Sequence, residues 1–165
     1  MSQIKFGTDG WRAIIAQDFT VENVTRVSEA TAEWLLKSSK KSTVVVGHDC
    51  RFAGELFAHT VAKVLCSKGI SVKLAKGFVS TPMISLGAVK HKADLGVIIT
   101  ASHNPPSYNG FKLKGSYGGP LLPSSVAEIE LLIKDKSTIN TEKLSLDDFT
   151  KSGLLSYVNL EDEYI

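Results

Sequence analysis

The sequence predicts an α/β fold, a single three-layer α/β/α domain built on a mainly parallel mixed sheet. Two runs, TVVVGH at 43–48 and LGVII at 95–99, are almost wholly apolar, as strands buried on both faces are. Segments with helical spacing alternate with the strand-like runs, the order that winds a parallel sheet. The chain's 165 residues, 43% apolar and 22% charged, suit one globular domain large enough to bury a core without disulfides or structural metal.

Each element follows from its local pattern. From Thr20 to Lys37, Val21, Val24, Val27, Thr31, Trp34 and Leu35 recur at helical spacing and Thr20 can cap the start, giving a surface helix with one buried stripe. Thr43 to His48 is a buried strand with Asp49 and Arg51 just beyond its carboxyl end. A second helix carries Leu56, Phe57, Val61, Val64 and Leu65 on one face and stops at Lys68-Gly69. Ile70 to Ala75 reads as a strand, and Thr81-Pro82 as an N-cap followed by proline, opening a helix to about Lys92.

Leu95 to Ile99 is the third apolar strand. Phe111 to Lys114 alternates apolar and basic residues, so Phe111 and Leu113 share one face, Lys112 and Lys114 the other, as in a strand at the sheet edge. Ser125 and Glu128 have capping-box spacing ahead of Ile129, Leu132 and Ile133. From Ser137 onward the chain is polar, with a weak helical stretch at Leu146 to Ser152.

Nineteen basic and 17 acidic residues, scattered along the chain, make no case for nucleic acid or a membrane surface. No secretory leader or transmembrane run is visible, and Cys50 and Cys66 are expected to be reduced, partly buried thiols, so the expected location is the cytoplasm.

Ligands of such sheets bind outside the carboxyl ends of the strands. Three polar loops qualify: Asp49 to Phe52, Val79 to Thr81, and Thr100 to Asn109. In the third, TASHNPPSYNGFKLK puts Ser102 at the mouth of a buried strand, where a serine serves as nucleophile, phosphate carrier or turn cap. There is neither a G-x-S-x-G elbow nor a Walker A loop, so serine-hydrolase and P-loop readings lose their support. Asn104-Pro105-Pro106 stiffens the loop and Asn109-Gly110 turns it back, so that Lys112 can approach Ser102; a cation near a serine suits phosphate.

Three segments, FGTDGWRA at 6–13, VVVGHDCR at 44–51 and TASHNPPSYNGFKLK at 100–114, give the chain its resemblance to the N-terminal domain of the α-D-phosphohexomutases, the phosphoglucomutase and phosphomannomutase group. The resemblance runs from about Ile4 to Ile133. It implies that Ser102 carries a phosphoryl group that reversibly converts hexose 1-phosphate and hexose 6-phosphate through a bound bisphosphate. It also implies Mg²⁺, with Ser102 a ligand through its phosphate, and hexose 1,6-bisphosphate as activator. His103 and Asn104 would contact phosphoserine or substrate oxygens, while Lys112 and Arg12 match residues of charge stabilisation and proton transfer. For Arg12, whose guanidinium hardly deprotonates, positioning is the expected role.

Gly7, Gly10 and Gly47 read first as turn and close-approach residues, and Asp9, Asp49 and Arg51 as braces for the serine loop. His48, His59 and His91 lack ligand spacing and receive no metal role. Ala13 stands where the family commonly has glycine. The family's chains have four domains, so the expected division is residues 1–140 as the domain bearing the phosphoserine loop and 141–165 as a segment leading toward a second domain. On that reading the chain alone is inactive, with the remaining domains as its partners and no nucleic acid or membrane. The competing reading is a non-enzymatic phosphosugar-binding or regulatory module of the same fold.

Overall fold

The computed structural model describes residues 3–8 and 10–165. Strands β1 (Trp11–Ile14), β2 (Thr43–His48), β3 (Ser71–Phe78), β4 (Leu95–Ile99), β5 (Tyr108–Gly115) and β6 (Leu155–Val158) form one sheet in the order β1-β5-β4-β2-β3-β6. Strands β4, β2, β3 and β6 are parallel; β5 is antiparallel to β4, and β1 to β5. The helices are α1 (Val21–Ser38), α2 (Gly54–Ser67), α3 (Thr81–Lys90), α4 (Pro123–Leu132), α5 (Leu146–Ser152) and α6 (Leu160–Tyr164), with one 3₁₀ turn at Thr141–Lys143.

The alternation of strand side chains divides the core in two. Val44, Val46, Leu95, Val97, Ile99, Phe111 and Leu113 point to the larger half, which the buried residues of α1 and α2 complete. Val45 and Ile98 point the other way, to Ile84 and Ala88 of α3 and Leu160 of α6. Both faces of the central strands are therefore dry, which is why their sequences are almost continuously apolar.

Thr20 caps α1, its hydroxyl accepting from the Asn23 amide at 3.1 Å. Burial of α1 is wider than a stripe: every residue from Val24 to Ala32 is buried, because α2 and α4 both pack on it. The two charges this buries are hydrogen-bonded. Arg26 donates from Nε to the Lys134 carbonyl at 2.7 Å, and Glu29 accepts from Lys134 at 3.1 Å and from the Ser137 hydroxyl at 2.6 Å. Burial alone would raise the Glu29 carboxyl, but Ser137 and Lys134 outweigh it and hold the group below its ordinary value. Helix α2 ends as its glycine suggests, with Gly69 N–H bonded to Cys66 O and Ile70 N–H to Leu65 O.

Several local expectations are corrected. β5 is not an edge strand, since β1 pairs with its outer side, Trp11 opposite Phe111. The expected Ser125–Glu128 capping box does not form: α4 starts at Pro123 with no side-chain cap, and Glu128 instead accepts from Trp34 Nε1 at 2.7 Å. The α3 cap is Ser80, one residue before Thr81. Leu56 is exposed, lying off the buried face of α2. Cys66 is buried, its thiol pushed up to about 12 by desolvation, whereas Cys50 is exposed.

Beyond residue 140, β6 pairs with β3, Val72 opposite Leu155, and Leu160 is buried on the α3 face. Among the described residues no helix is long and apolar enough to cross a membrane.

Candidate active site

The site is built where β4 ends. Ile99 accepts from the Asp49 amide and Thr100 N–H bonds to Gly110 O, so the carboxyl ends of β2 and β4 and the start of β5 are locked together at one point. Gly110 is required there, because a Cβ would stand 2.4 Å from the Thr100 carbonyl oxygen. Thr100 Oγ1 donates to Asp49 Oδ2 and accepts from the Ser102 amide at 3.1 Å.

Ser102 lies beyond this anchor with φ of 52°, a left-handed conformation that a serine adopts only when its surroundings impose it. Residue and hydroxyl face solvent, and Oγ is 3.3 Å from His103 Nδ1. The turn closes through Asn104 N–H to Ala101 O at 3.0 Å.

Arg51 underlies the loop. Its Nη1 donates to Pro105 O at 2.8 Å and Tyr108 O at 3.1 Å, and its Nη2 to Ser102 O and Asn104 O, both at 2.6 Å. Asp49 orients it, accepting from the Arg51 amide at 3.0 Å, with Oδ2 3.8 Å from Nε.

Arg12, on β1, donates from Nη1 to Asn104 Oδ1. Residues Ser102, His103, Asn104 and Arg12 are thus joined through two direct contacts, Ser102 to His103 and Arg12 to Asn104. Lys112 sits opposite Ile98 on β5, on the same side of the sheet as Arg12, and lines a small cleft with Phe6, Gly7, Thr8 and Gly10. Gly10, at φ 94°, is pressed against β5: a Cβ would lie 2.5 Å from Phe111 O. Asp9, expected as a brace, lies outside the described residues.

Among the histidines, His48 donates from Nδ1 to Asp49 O at 2.8 Å and packs edge-on against Phe78, while His91 donates from Nε2 to Glu163 at 2.9 Å. Among the described residues no three His, Cys, Asp or Glu side chains cluster as metal ligands. Asn109 was singled out in the sequence only as part of a turn; it is wholly buried and pins the loop's return, accepting from Gly110 N–H at 2.9 Å and donating to Phe52 O at 3.3 Å. Its place directly before Gly110 was the signal available.

Fold and site together define a three-layer α/β domain that presents a serine in a braced turn at a strand mouth. Residues 3–140 match the family profile of the phosphoglucomutase/phosphomannomutase alpha/beta/alpha domain I. The chain is 38% identical over 157 residues to a phosphoglucosamine mutase of Pediococcus pentosaceus, covering 90% of this chain and 34% of that protein. It is 32% identical over 163 residues to a phosphoglucomutase of Staphylococcus saprophyticus, covering 96% and 29%. A crystal structure described as a phosphomannomutase from Thermus thermophilus superimposes with a TM-score of 0.87 at 35% identity, covering 99% of this chain and 35% of that one. The chain belongs to the phosphoglucomutase/phosphomannomutase family, a family of mutase enzymes, and corresponds to its domain I. It spans about a third of the length of the curated relatives it matches.

Proposed function

We propose that this chain is the phosphoserine-bearing domain of a phosphohexomutase and that Ser102 is the phosphoryl carrier. The observation that carries the reading is Ser102 itself: an exposed hydroxyl in a left-handed turn, on a loop fixed from beneath by Arg51 and Asp49. A turn-capping serine would spend its oxygen on the backbone, whereas among the described residues Oγ here bonds the equally exposed His103.

In the proposed reaction the Ser102 Oγ–phosphorus bond breaks as a bond forms between that phosphorus and a hydroxyl oxygen of a hexose monophosphate. The hydroxyl proton ends on Ser102, and the product is a hexose bisphosphate. Transfer of its other phosphate back to Ser102 completes an isomerisation that consumes no cofactor. Such transfer rests on positioning and charge stabilisation, for which Arg12 and Lys112 are the candidate cations and His103 and Asn104 the candidate polar contacts.

A divalent cation, Mg²⁺ in our reading, would neutralise phosphate charge and take one oxygen ligand from phosphorylated Ser102. Among the described residues no further site for it is made: Asp49, a carboxylate facing this loop, is committed to Thr100 and Arg51. Its other ligands, like most sugar contacts, belong to the remaining domains, so the chain alone is inactive as a mutase. The two unpaired cysteines fit a reducing cytoplasm.

The test is to incubate the chain, alone and joined to the remaining domains of a family mutase, with Mg²⁺ and glucose 1,6-bisphosphate, locate any phosphate in the joined protein by mass spectrometry, and run a coupled assay on both for conversion of glucose 1-phosphate. Phosphate on Ser102, none on the Ser102→Ala protein, and no turnover by the chain alone are expected. Phosphate on another residue, or no uptake at all, rejects the assignment.

A further inference from the structure

We infer that Arg51 is a positioning residue that holds Ser102 in its left-handed conformation through the shape of its guanidinium, and that it is not a phosphate ligand. An arginine beside a serine that carries phosphate would ordinarily be assigned to the phosphate. Here four of its five donors are already spent, and the fifth faces a carboxylate. A guanidinium has five N–H bonds. The four on Nη1 and Nη2 go to the carbonyls of Pro105, Tyr108, Ser102 and Asn104, and the fifth, on Nε, faces Asp49 at 3.8 Å. Reaching a phosphate on Ser102 Oγ would release at least one of the carbonyls that shape the loop.

The arrangement has a mechanical meaning. Arg51 Nη2 holds Ser102 O and so fixes the Ser102–His103 peptide plane, while Asn104 O, drawn to the same nitrogen, fixes the Asn104–Pro105 plane; with the Ser102 amide held as well, both planes that define the positive φ at Ser102 are set. From the other side Thr100 Oγ1 holds the Ser102 amide. Arg51 is itself largely covered, its side chain 13% exposed, so the brace works from beneath while Oγ stays outside. Lysine has the charge but not the fork: one ammonium with three protons cannot serve four carbonyls spread around a plane.

The inference rests on the phosphoryl-carrier reading for its functional consequence, and two readouts keep the two apart, amide exchange on the 165-residue chain and phosphoryl uptake by that chain joined to the remaining domains of a family mutase. Amide exchange reads the loop without any substrate: Arg51→Ala and Arg51→Lys are both expected to speed exchange at Ser102, Asn104 and Tyr108 at least tenfold while Val45 and Val97 keep wild-type protection. Phosphoryl uptake from glucose 1,6-bisphosphate reads function: both variants should slow the rate of Ser102 labelling at least tenfold with half-saturation changed less than threefold. Lysine rescue of loop protection or of labelling rate overturns the inference, as does a half-saturation effect alone, which would mark Arg51 as a phosphate ligand. If the Arg51 variants lose protection in β2 and β4 as well, Thr100→Val decides: it removes the second anchor without changing charge, and wild-type exchange and labelling in it would overturn the inference. Failure of the joined wild-type protein to take up phosphate on Ser102 rejects the carrier reading, and amide exchange still decides the brace.

Discussion

Arg12 and Asn104 are 92 residues apart in sequence, yet the guanidinium of one donates directly to the side-chain oxygen of the other. The contact ties β1 to the serine loop, so the strand and the loop should not respond independently to substitution. In a double-mutant cycle of Arg12→Ala and Asn104→Ala, read by urea unfolding, a coupling energy of about 0.5–3 kcal/mol is expected. Additive effects would show that the pair does not act as a unit.

Lys112 lies along β5 from the loop and faces the same side of the sheet as Arg12. If it stabilises the transferring phosphoryl group, Lys112→Ala should slow Ser102 labelling on the order of 100-fold with a modest change in half-saturation, the pattern of a transition-state contact. A pure half-saturation effect would instead make it a uniform binding residue.

At Gly110 the backbone of β5 passes so close to Thr100 that an added Cβ would lie 2.4 Å from its carbonyl oxygen. Gly110→Ala should therefore destabilise by about 1–3 kcal/mol, measured by urea unfolding, since a backbone atom cannot yield as a side-chain end can. The Ser102 amide should also lose protection, because the bond from Thr100 N–H to Gly110 O anchors the loop.

Two groups give stability the same dependence on pH. Burial lowers the pKa of His59 on α2, only partly offset by Glu55, so below its ordinary value of 6.5 the unfolded chain binds a proton that the folded chain resists. Glu29 is held below its ordinary 4.5, so its contribution is present above that pH and is lost as pH falls through the lowered folded value. In both cases the unfolded state holds more protons, and stability falls toward acid. The urea midpoint should drop in two stages between pH 8 and pH 3, with His59→Gln flattening the first and Glu29→Gln the second. A midpoint that rises with acid would contradict both assignments.

The two thiols should separate cleanly. Cys50 is exposed, and Cys66 is buried with its thiol pushed up to about 12 by desolvation. A thiol reagent at pH 8 should modify Cys50 alone in the native chain and both residues in urea, counted by mass spectrometry. Rapid native labelling of Cys66 would mean that α2 opens readily.

What the sequence makes legible follows from range. β2 and β4 are visible because each is a run of apolar residues buried on both faces, and Thr20 is visible because capping is decided within three residues. β1 and β6 are not: each has four residues, with no period long enough to read, and is a strand only because a partner far along the chain receives it. The Ser125–Glu128 spacing failed for the same reason, since Trp34 of α1 claims the carboxylate that the cap needed. In the site, the loop and its serine could be placed from sequence, and Asp49 and Arg51 could be marked as braces. Which carbonyls Arg51 gathers could not, because a backbone oxygen carries no side-chain identity to read.

The pairing of Trp11 with Phe111 also sets an order of events when the chain is made from its N-terminus. The residues of β1 leave the ribosome early, but the strand that receives them, Tyr108–Gly115, follows nearly a hundred residues later. At about 5–20 residues per second the wait is on the order of 5–20 s. Through that interval Arg12 has no Asn104 to hold, and the outer edge of β3 stays unpaired longer still, until Leu155–Val158 emerges. A nascent chain halted before residue 108 would therefore expose an orphan first strand and the open edges of β4 and β3 at once, each a template for pairing with another chain.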